Sequence, residues 1–538
     1  MTDSSFGYST FVILPICDHQ YLSICDYLRM RLSIMLKIRR VLISVWEKKG
    51  IVELARKLRE FNAEIISTGK TATLLRENGI AVKEVASLTS FPEILSGRVK
   101  TLHPKVFGGI LANKKNPLHM EEIARLKIEP IDMVVIDLYP FAQKLEEDLT
   151  IDEMIEYIDV GGPSLIRAAA KNFKNVACLS NLKQYPQIIA ELDKNHGFIG
   201  EDALVDLARV AFHVTKEYDN VIYNYFQGQE ILTLDLKKTQ ELRYGENSHQ
   251  KAVLYEGLDQ KGLGFRQLQG KELSYNNFLD LDTAIYMVKE FNEPAAAIVK
   301  HASLCGVGVD KRLASAYKKA YAVDPISSFG GIIGLNKKVD KDTAKQIAKS
   351  GFHECIIAPC FCREALKIFS AKKNLRIIEA DLLNFSDGRD IRTVAFGYLI
   401  QDKDVLTVDK NALKVVSKKK PSAKQMKDLL FAWKVCKFVK SNAIVVAKNF
   451  NIFGIGGGRP SRVGSVEIAL RQAGPKSQGS CLASDGFFPK DDSIRVACKK
   501  GIKAIIQPGG SLKDNEIIKL CDKLGMAMVF TGIRHFRH

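Results

Sequence analysis

Residue types able to handle a charged, oxygen-rich ligand concentrate at a few turns of this sequence. Ser67-Thr68-Gly69-Lys70-Thr71 separates the apolar run AEII from a run of helical character, TATLLRENG. Hydroxyls and backbone N–H groups at a helix start bind phosphate oxygens, and without a ligand the same residues make an ordinary N-cap. A nucleotide-binding P-loop is excluded, because the glycine it needs five positions before Gly69 is Glu64. The stretch GRVKTLHPK places Arg98, Lys100 and Lys105 beside Gly97 and Pro104, which favour a loop. Such cations are either exposed charge or the lining of a phosphate and oxyanion pocket. Asp159 precedes Gly161, Gly162 and a helix expected from about Pro163, on which Arg167 and Lys171 share a face. A helix cap with a solvated face is the plain alternative. In the second half, Lys300-His301 directly follows the apolar strand AAAIV. A histidine there is either structural or a base, with the adjacent lysine supplying acid or charge.

These residues need elements that bring them together. From Met35 to about residue 180, β-branched runs alternate with helical periods: RRVLISV, then GIVELARKLREFN, AEIIST, TATLLRENG, IDMVVIDLYPF and PSLIRAAAKNF. That alternation predicts a parallel sheet with helices on both faces, whose ligands sit at the carboxyl ends of the strands. A second alternating region follows ELRYGENSHQ. Its two helix-plus-strand units, ending in AAAIVKH and NAIVVAKN, are either an internal repeat or chance similarity between buried strands.

The composition bounds the function. At 538 residues the chain is long enough for two or three domains, and no apolar run reaches the roughly 20 residues that span a bilayer. Eleven cysteines lack paired metal-ligand spacing, Cys355, Cys360 and Cys362 included, which fits free thiols in a reducing cytoplasm. The net charge of +18 asks for an anionic partner. Lys and Arg are dispersed, and the run Lys418–Lys420 reads as a solvated loop, so small phosphorylated substrates are expected rather than nucleic acid. Residues 1–34 show no sustained period and no signal-peptide pattern. An upstream start codon, with the fold beginning at Met35, is the expected explanation for that extension.

Taken in order, SVWEKKGIVELARKL, STGKTATLL, FPEILSGRVKTLHPKVFGGILA, DLYPF and IDVGGPSLIRAAAKNF resemble the IMP cyclohydrolase domain of the bifunctional purine-biosynthesis family. LRYGENSHQ, LSYNNFLDLDTA, IVKHASLCGV, DPISSFGG, IIAP, SNAIVVAKN, GIGGGRPSR, ASDGFFPKDD, PGGSLKD and TGIRHFRH resemble its AICAR transformylase domain to the last residue. The resemblance implies an α/β protein: a parallel-sheet, methylglyoxal-synthase-like domain over 35–231, then a transformylase domain over 232–538 built of two cytidine-deaminase-like subdomains. The deaminase zinc signature, H-x-E with P-C-x-x-C, is absent from the sequence.

The resemblance also implies roles. For ring closure of formyl-AICAR, Lys100, Tyr139, Asp159 and Lys171 match the catalytic group. Ser67, Thr68, Gly69, Thr71, Arg98, Thr101, Gly161 and Gly162 match substrate contacts. For formyl transfer from 10-formyltetrahydrofolate to AICAR, His301 matches the base and Lys300 the oxyanion stabiliser or acid. Asn442 and Arg462 match substrate positions, Arg243, Tyr244 and Arg534 phosphate-side contacts, and Glu354 a ribose contact. Phe329, Phe487 and Asp492 match the approach to the folate. No metal is required, although family members can bind potassium, and a cytoplasmic homodimer is implied. Trp46, Lys70, Asp137, Ser248, Ser303-Leu304 and Lys490-Asp491 depart from the family pattern. If Lys70 stood in the left-handed region its backbone would be strained, and Asp137 beside a phosphate would oppose binding. A regulatory nucleotide-binding homologue with a weakened activity is the alternative reading.

Overall fold

Four apolar runs of the first half are buried along nearly their whole length, as strands covered on both faces must be. In the computed structural model, which describes residues 35–228, 231–258, 262–382, 385 and 388–538, they form a five-stranded sheet with a more exposed edge strand. The strands are β1 (Arg40–Ser44), β2 (Glu64–Ser67), β3 (Val82–Glu84), β4 (Met133–Ile136) and β5 (Ala177–Leu179). All pair in parallel, in the order β3-β2-β1-β4-β5. Val41 and Ile43 enter the core on one face, with α1 (Ile51–Glu60), while Leu42 enters the other. That second face is covered by α3 (Pro104–Leu111) and α4 (Gly161–Lys171), α2 being Gly69–Glu77. The run IDMVVIDLYPF, expected as one strand, pairs only over Met133–Ile136 before the chain leaves the sheet. A 27-residue helix, α5 (Glu201–Gln227), was not anticipated from the sequence. The chain divides into two units, Thr233 ending the first and Leu234 beginning the second. The 1–34 extension lies outside the described residues, among which no helix is long and apolar enough to cross a membrane.

The second unit resolves the question of the repeat. Its 12-stranded sheet contains β6 (Phe265–Gln269), β7 (Ala295–Lys300), β8 (Ser303–Val309), β9 (Ile332–Leu335), β10 (Cys355–Ala358) and β11 (Arg376–Ala380). It continues with β12 (Lys414–Val415), β13 (Ile444–Lys448), β14 (Asn451–Gly456), β15 (Cys481–Ser484), β16 (Ala504–Gln507) and β17 (Ala527–Phe530). The order is β6-β11-β10-β9-β7-β8-β14-β13-β15-β16-β17-β12. Within it, β11-β10-β9-β7-β8 mirrors β17-β16-β15-β13-β14, and each pair has the same polarity in both copies. The copies join edge to edge, antiparallel, where Gly308 faces Asn451. AAAIVKHASLCG, in which the sequence showed only the strand AAAIV, is a hairpin whose two-residue turn is His301-Ala302.

Helices repeat with the strands. α6 (Tyr275–Lys289) and α8 (Ala423–Cys436) share one continuous core on one face. α7 (Leu313–Tyr321) and α9 (Arg462–Ala473) cover the opposite face of their own copies. Both of these helices lie unusually close to their strands, and the cause is glycine. A Cβ on Gly306 or Gly308 of β8 would stand 2.1 or 2.2 Å from carbonyl oxygens of α7. On Gly454 or Gly456 of β14 it would stand 1.9 or 2.0 Å from those of α9. These oxygens belong to the backbone, so a side chain fits only if a helix moves. Gly454→Ala should therefore destabilise the second unit by about 1–3 kcal/mol or more, read as a lower urea midpoint, with an unchanged midpoint showing that α9 can retreat.

Candidate functional site

In the first unit the chain order of the strands reverses between β1 and β4, which opens a crevice at their carboxyl ends. The segments after β1, β2 and β4 meet there. Thr71 is buried, and its hydroxyl donates to the Val45 carbonyl at 3.1 Å and accepts from the Lys48 ammonium at 3.0 Å. Lys48 also donates to the Val45 carbonyl. Burial lowers the Lys48 pKa, and like charge on Lys70 adds to this, against the raising effect of Asp137 and Glu47. Asp137 accepts the Glu47 N–H at 2.8 Å, and burial pushes its carboxyl above the usual range. Lys48 was missed in the sequence, although a basic residue just beyond a strand end, in SVWEKKG, was the available signal.

The STGKT turn differs in detail from expectation. Gly69, at φ 49, is the left-handed residue, and Lys70 is an exposed residue of the first turn of α2. The feared backbone cost at Lys70 does not arise, because the turn reverses one position earlier. Ser67 is fully buried and its hydroxyl donates to Ile43 at 2.6 Å, so that proton is committed to the sheet. Thr68 is the N-cap of α2 and makes no side-chain cap bond.

A second group gathers at the start of α4. Asp159 accepts the N–H of Gly162 at 2.7 Å. A Cβ at Gly162 would lie 2.3 Å from the Asp159 carboxylate, so only glycine lets this cap close. Burial raises the Asp159 pKa, opposed by the N–H groups of Gly162 and Tyr139 and by the charge of Lys100. Lys100 also pairs with Glu93 at 3.2 Å, and the buried Thr101 hydroxyl comes within 3.2 Å of where a Cβ on Gly161 would sit. Tyr218 of α5 fixes the approach to this cap. Its hydroxyl accepts the Asp159 N–H at 2.7 Å and donates to the Tyr157 carbonyl at 2.9 Å. Tyr139 faces Trp46 with ring centroids 5.2 Å apart. These rings, with Leu149, Glu153, Glu156 and Tyr157, line a cavity of about 320 Å³. Arg98 is exposed and ion-paired with Glu156. Lys171 does not join the group. It is the exposed last residue of the 11-residue α4, whose first turn carries Asp159's bond, and the helix separates them by roughly 15 Å.

In the second unit, strand polarity decides what meets. Lys300 ends β7, and the loops that begin β9, β10 and β11 lie on that same edge, as do the segments flanking β13, β14, β15 and β17 away from their own turn. The edge thus collects Lys300, His301, Phe329, Glu354, Asn442, Arg462, Phe487 and the C-terminal Arg534. His301 is exposed, and both it and Ala302 are left-handed, at φ 55 and 51, a cost of roughly 1–2 kcal/mol each. The Asp280 carboxylate accepts both of their N–H groups, at 3.3 and 2.5 Å. Lys300 donates to the Phe329 carbonyl at 2.8 Å.

Arg462 is buried. It donates to Ser484 at 2.7 Å, to the Asn442 side-chain oxygen at 2.7 Å, and to the fully buried Asp485. Removing either ion of that pair would strand the other, at about 3–5 kcal/mol. Ser441 donates to the second Asp485 oxygen, and the Asn442 amide donates to the Arg459 and Pro460 carbonyls at 2.9 and 3.1 Å. Asp485 and Ser441 were not singled out in the sequence, because SNAIV and ASDG lie over forty residues apart. Glu354 is bound to Arg376 at 2.6 Å. Arg243 stacks on Tyr244 and donates to its hydroxyl at 2.7 Å, and Arg534 stacks on Phe536. Phe329 and Phe487 present exposed rings, 59% and 39% accessible. Asp492, in the first turn of its helix (Asp492–Lys499), accepts the Ser493 N–H at 2.6 Å.

The opposite edge carries the second copy of the turn, Lys448-Asn449-Phe450-Asn451, left-handed at Asn449 and Phe450. Lys448 donates to the Gln478 carbonyl at 2.9 Å, as Lys300 does to Phe329. At equivalent positions, however, Asn449 replaces His301, Pro294 replaces Asn442, Leu313 replaces Arg462 and Asn336 replaces Asp485. At these positions one edge therefore holds a histidine, two cations, an amide and a carboxylate, and the other a lysine and two amides without histidine, arginine or acid.

The profile of the AICARFT/IMPCHase bienzyme matches residues 169–472, and that of the MGS-like domain matches residues 50–164. The bifunctional purine biosynthesis protein PurH of Bacillus cereus (strain AH187) is 47% identical over 511 residues, 93% of this chain and 100% of its own. The protein of the same name from Thermoanaerobacter sp. (strain X514) is 50% identical over 510 residues, with the same coverage. The crystal structure of ForH covers 35% of this chain and 98% of its own at 32% identity, with a TM-score of 0.32. With full-length relatives at about half identity, and two families of site residues on two α/β units, the chain belongs to the AICARFT/IMPCHase bienzyme family.

Proposed function

We infer that this chain catalyses two consecutive steps of purine nucleotide synthesis, formyl transfer to AICAR and closure of formyl-AICAR to IMP. The observation that carries the first step is the contrast between the two edges of the large sheet. The edge bearing His301 carries both the Lys300 turn and the Asn442–Arg462–Asp485 network, and the edge bearing Asn449 carries only the equivalent lysine turn.

The proposed donor is 10-formyltetrahydrofolate. The AICAR 5-amino nitrogen attacks the formyl carbon, and His301 takes the proton that this nitrogen sheds. Lys300 stabilises the tetrahedral oxyanion or protonates folate N10 as the carbon–nitrogen bond breaks. Its bond to the Phe329 carbonyl supports a fixed ammonium there. Asn442 and Arg462 hold the base and carboxamide side. Arg243, Tyr244 and Arg534 serve the phosphate, and Glu354 the ribose. The open rings of Phe329 and Phe487, with Asp492 nearby in sequence to Phe487, fit the folate. Nothing in this scheme calls on a metal, although members of the family can bind potassium.

For ring closure, assigned to residues 35–231 with transfer assigned to 232–538, the carboxamide nitrogen attacks the formyl carbon and water leaves. Lys100 stabilises the developing oxygen charge, while Asp159 and Tyr139 move protons. The raised pKa of Asp159 suits that exchange. Thr68, Gly69, Thr71, Arg98, Thr101 and the first turn of α4, Gly161 and Gly162, hold phosphate and sugar, together with Lys48. Lys171 is left out of this reacting group. A cytoplasmic homodimer acting on AICAR and formyl-AICAR, without nucleic acid, completes the reading.

Three measurements follow. His301→Ala should lower formyl transfer by about 10²–10⁴-fold while closure of supplied formyl-AICAR stays within about two-fold. Lys100→Ala should do the converse, lowering closure by about 10²–10³-fold. Equal loss of both activities in either folded variant would overturn the two-site assignment. Lys70→Gly should raise the KM for formyl-AICAR about ten-fold with little change in kcat, as for loss of a charge-assisted contact made equally in ground and transition states. A KM that stays put or falls would mean Lys70 points into solvent.

A further inference from the structure

The Lys300-His301 turn is held from a helix that no sequence motif tied to it. We infer that Asp280 is a positioning residue for formyl transfer, clamping the His301-Ala302 turn so that the imidazole stands at the reacting nitrogen. The inference rests on the reading of His301 as the base. Its ground is geometric. Asp280, on the first half of α6, uses both carboxylate oxygens: Oδ2 accepts the His301 N–H at 3.3 Å and Oδ1 the Ala302 N–H at 2.5 Å. Both residues are left-handed without being glycine, so the turn has an easier alternative to relax into once released. Its hydrogen bonds go to the backbone that carries His301, and its negative charge also acts on His301 and Lys300.

The repeat supplies an internal control. Asp428 occupies the same place on α8 and accepts the Phe450 N–H at 2.9 Å. The spacing from aspartate to second turn residue is 22 in both copies. Asp428 uses one oxygen and holds a turn that carries asparagine where His301 stands. The clamp is thus an inherited feature of both copies, and only in the first does it bear on a base. An amide has one acceptor oxygen. Asp428→Asn keeps its single bond, whereas Asp280→Asn gives up one of two and turns an NH₂ toward a backbone N–H.

Asp280→Asn, Asp280→Ala, Asp428→Asn and His301→Ala would be assayed for formyl transfer and for closure of supplied formyl-AICAR, with melting temperature measured alongside. For Asp280→Asn we expect transfer kcat to fall about ten-fold, and for Asp280→Ala about 10²-fold. The KM for AICAR, the closure rate and the melting temperature should change little, and Asp428→Asn should keep wild-type kcat. Wild-type kcat in both Asp280 variants would overturn the inference. So would equal losses in Asp280→Asn and Asp428→Asn, which would mark a general packing role. A His301→Ala protein that still transfers formyl would instead overturn the reading beneath it, whatever Asp280 does. If the Ala variant fails to fold, the kcat against KM split in Asp280→Asn decides alone.

Discussion

Antiparallel pairing of β8 with β14 is the constraint on which the second unit depends. Because the two copies meet through equivalent strands running oppositely, the turn end of one copy lies beside the open end of the other. A base offered by a hairpin and a cation offered by a helix start then share one edge, although 161 positions separate His301 from Arg462 in the chain. Glycines 306, 308, 454 and 456 make that pairing compatible with helix packing, since they admit α7 and α9 to backbone contact with the sheet. Divergence between the copies could then remove the chemistry from one edge without disturbing the architecture of either.

The first unit reaches the same end by a different rule. In a parallel sheet every strand points the same way, so the segments after β1, β2 and β4 converge without any repeat. What precise placement requires is a set of short bonds between those segments. Thr71 binds the end of β1, Asp137 holds Glu47, and Asp159 caps α4 through a position only glycine can occupy. Burial raises the pKa of both carboxyls and lowers that of Lys48. The crevice therefore holds acids and a base drawn toward one another in protonation, a pattern common where side chains exchange protons.

Buried charge in the second unit is spent differently. Arg462 and Asp485 satisfy each other, with Ser441, Asn442 and Ser484 taking up the remaining bonds. Such a network is rigid because each member would be stranded if one moved. It fixes the Asn442 amide, while His301 remains exposed on a turn that Asp280 restrains. A rigid polar support beneath an accessible side chain is the arrangement that precise positioning requires.

Much of this was legible in the sequence. Residue types at STGKT, GRVKT, IDVGG and KH marked turns that the structure places at strand ends, alternating runs announced a parallel sheet, and AAAIVKH with NAIVVAKN hinted at the repeat, because such features are local and follow from periodicity and turn chemistry. The tertiary structure alone decided matters that depend on contacts between distant residues. It put Lys171 at the far end of the helix whose start holds Asp159, made Gly69 rather than Lys70 the left-handed residue, and brought Lys48, Asp280, Ser441 and Asp485 into the sites. It also chose which of two similar lysine turns lies beside Arg462. Strand order and polarity determine that choice, and they are set by pairing between segments whose sequences carry no local record of their partners.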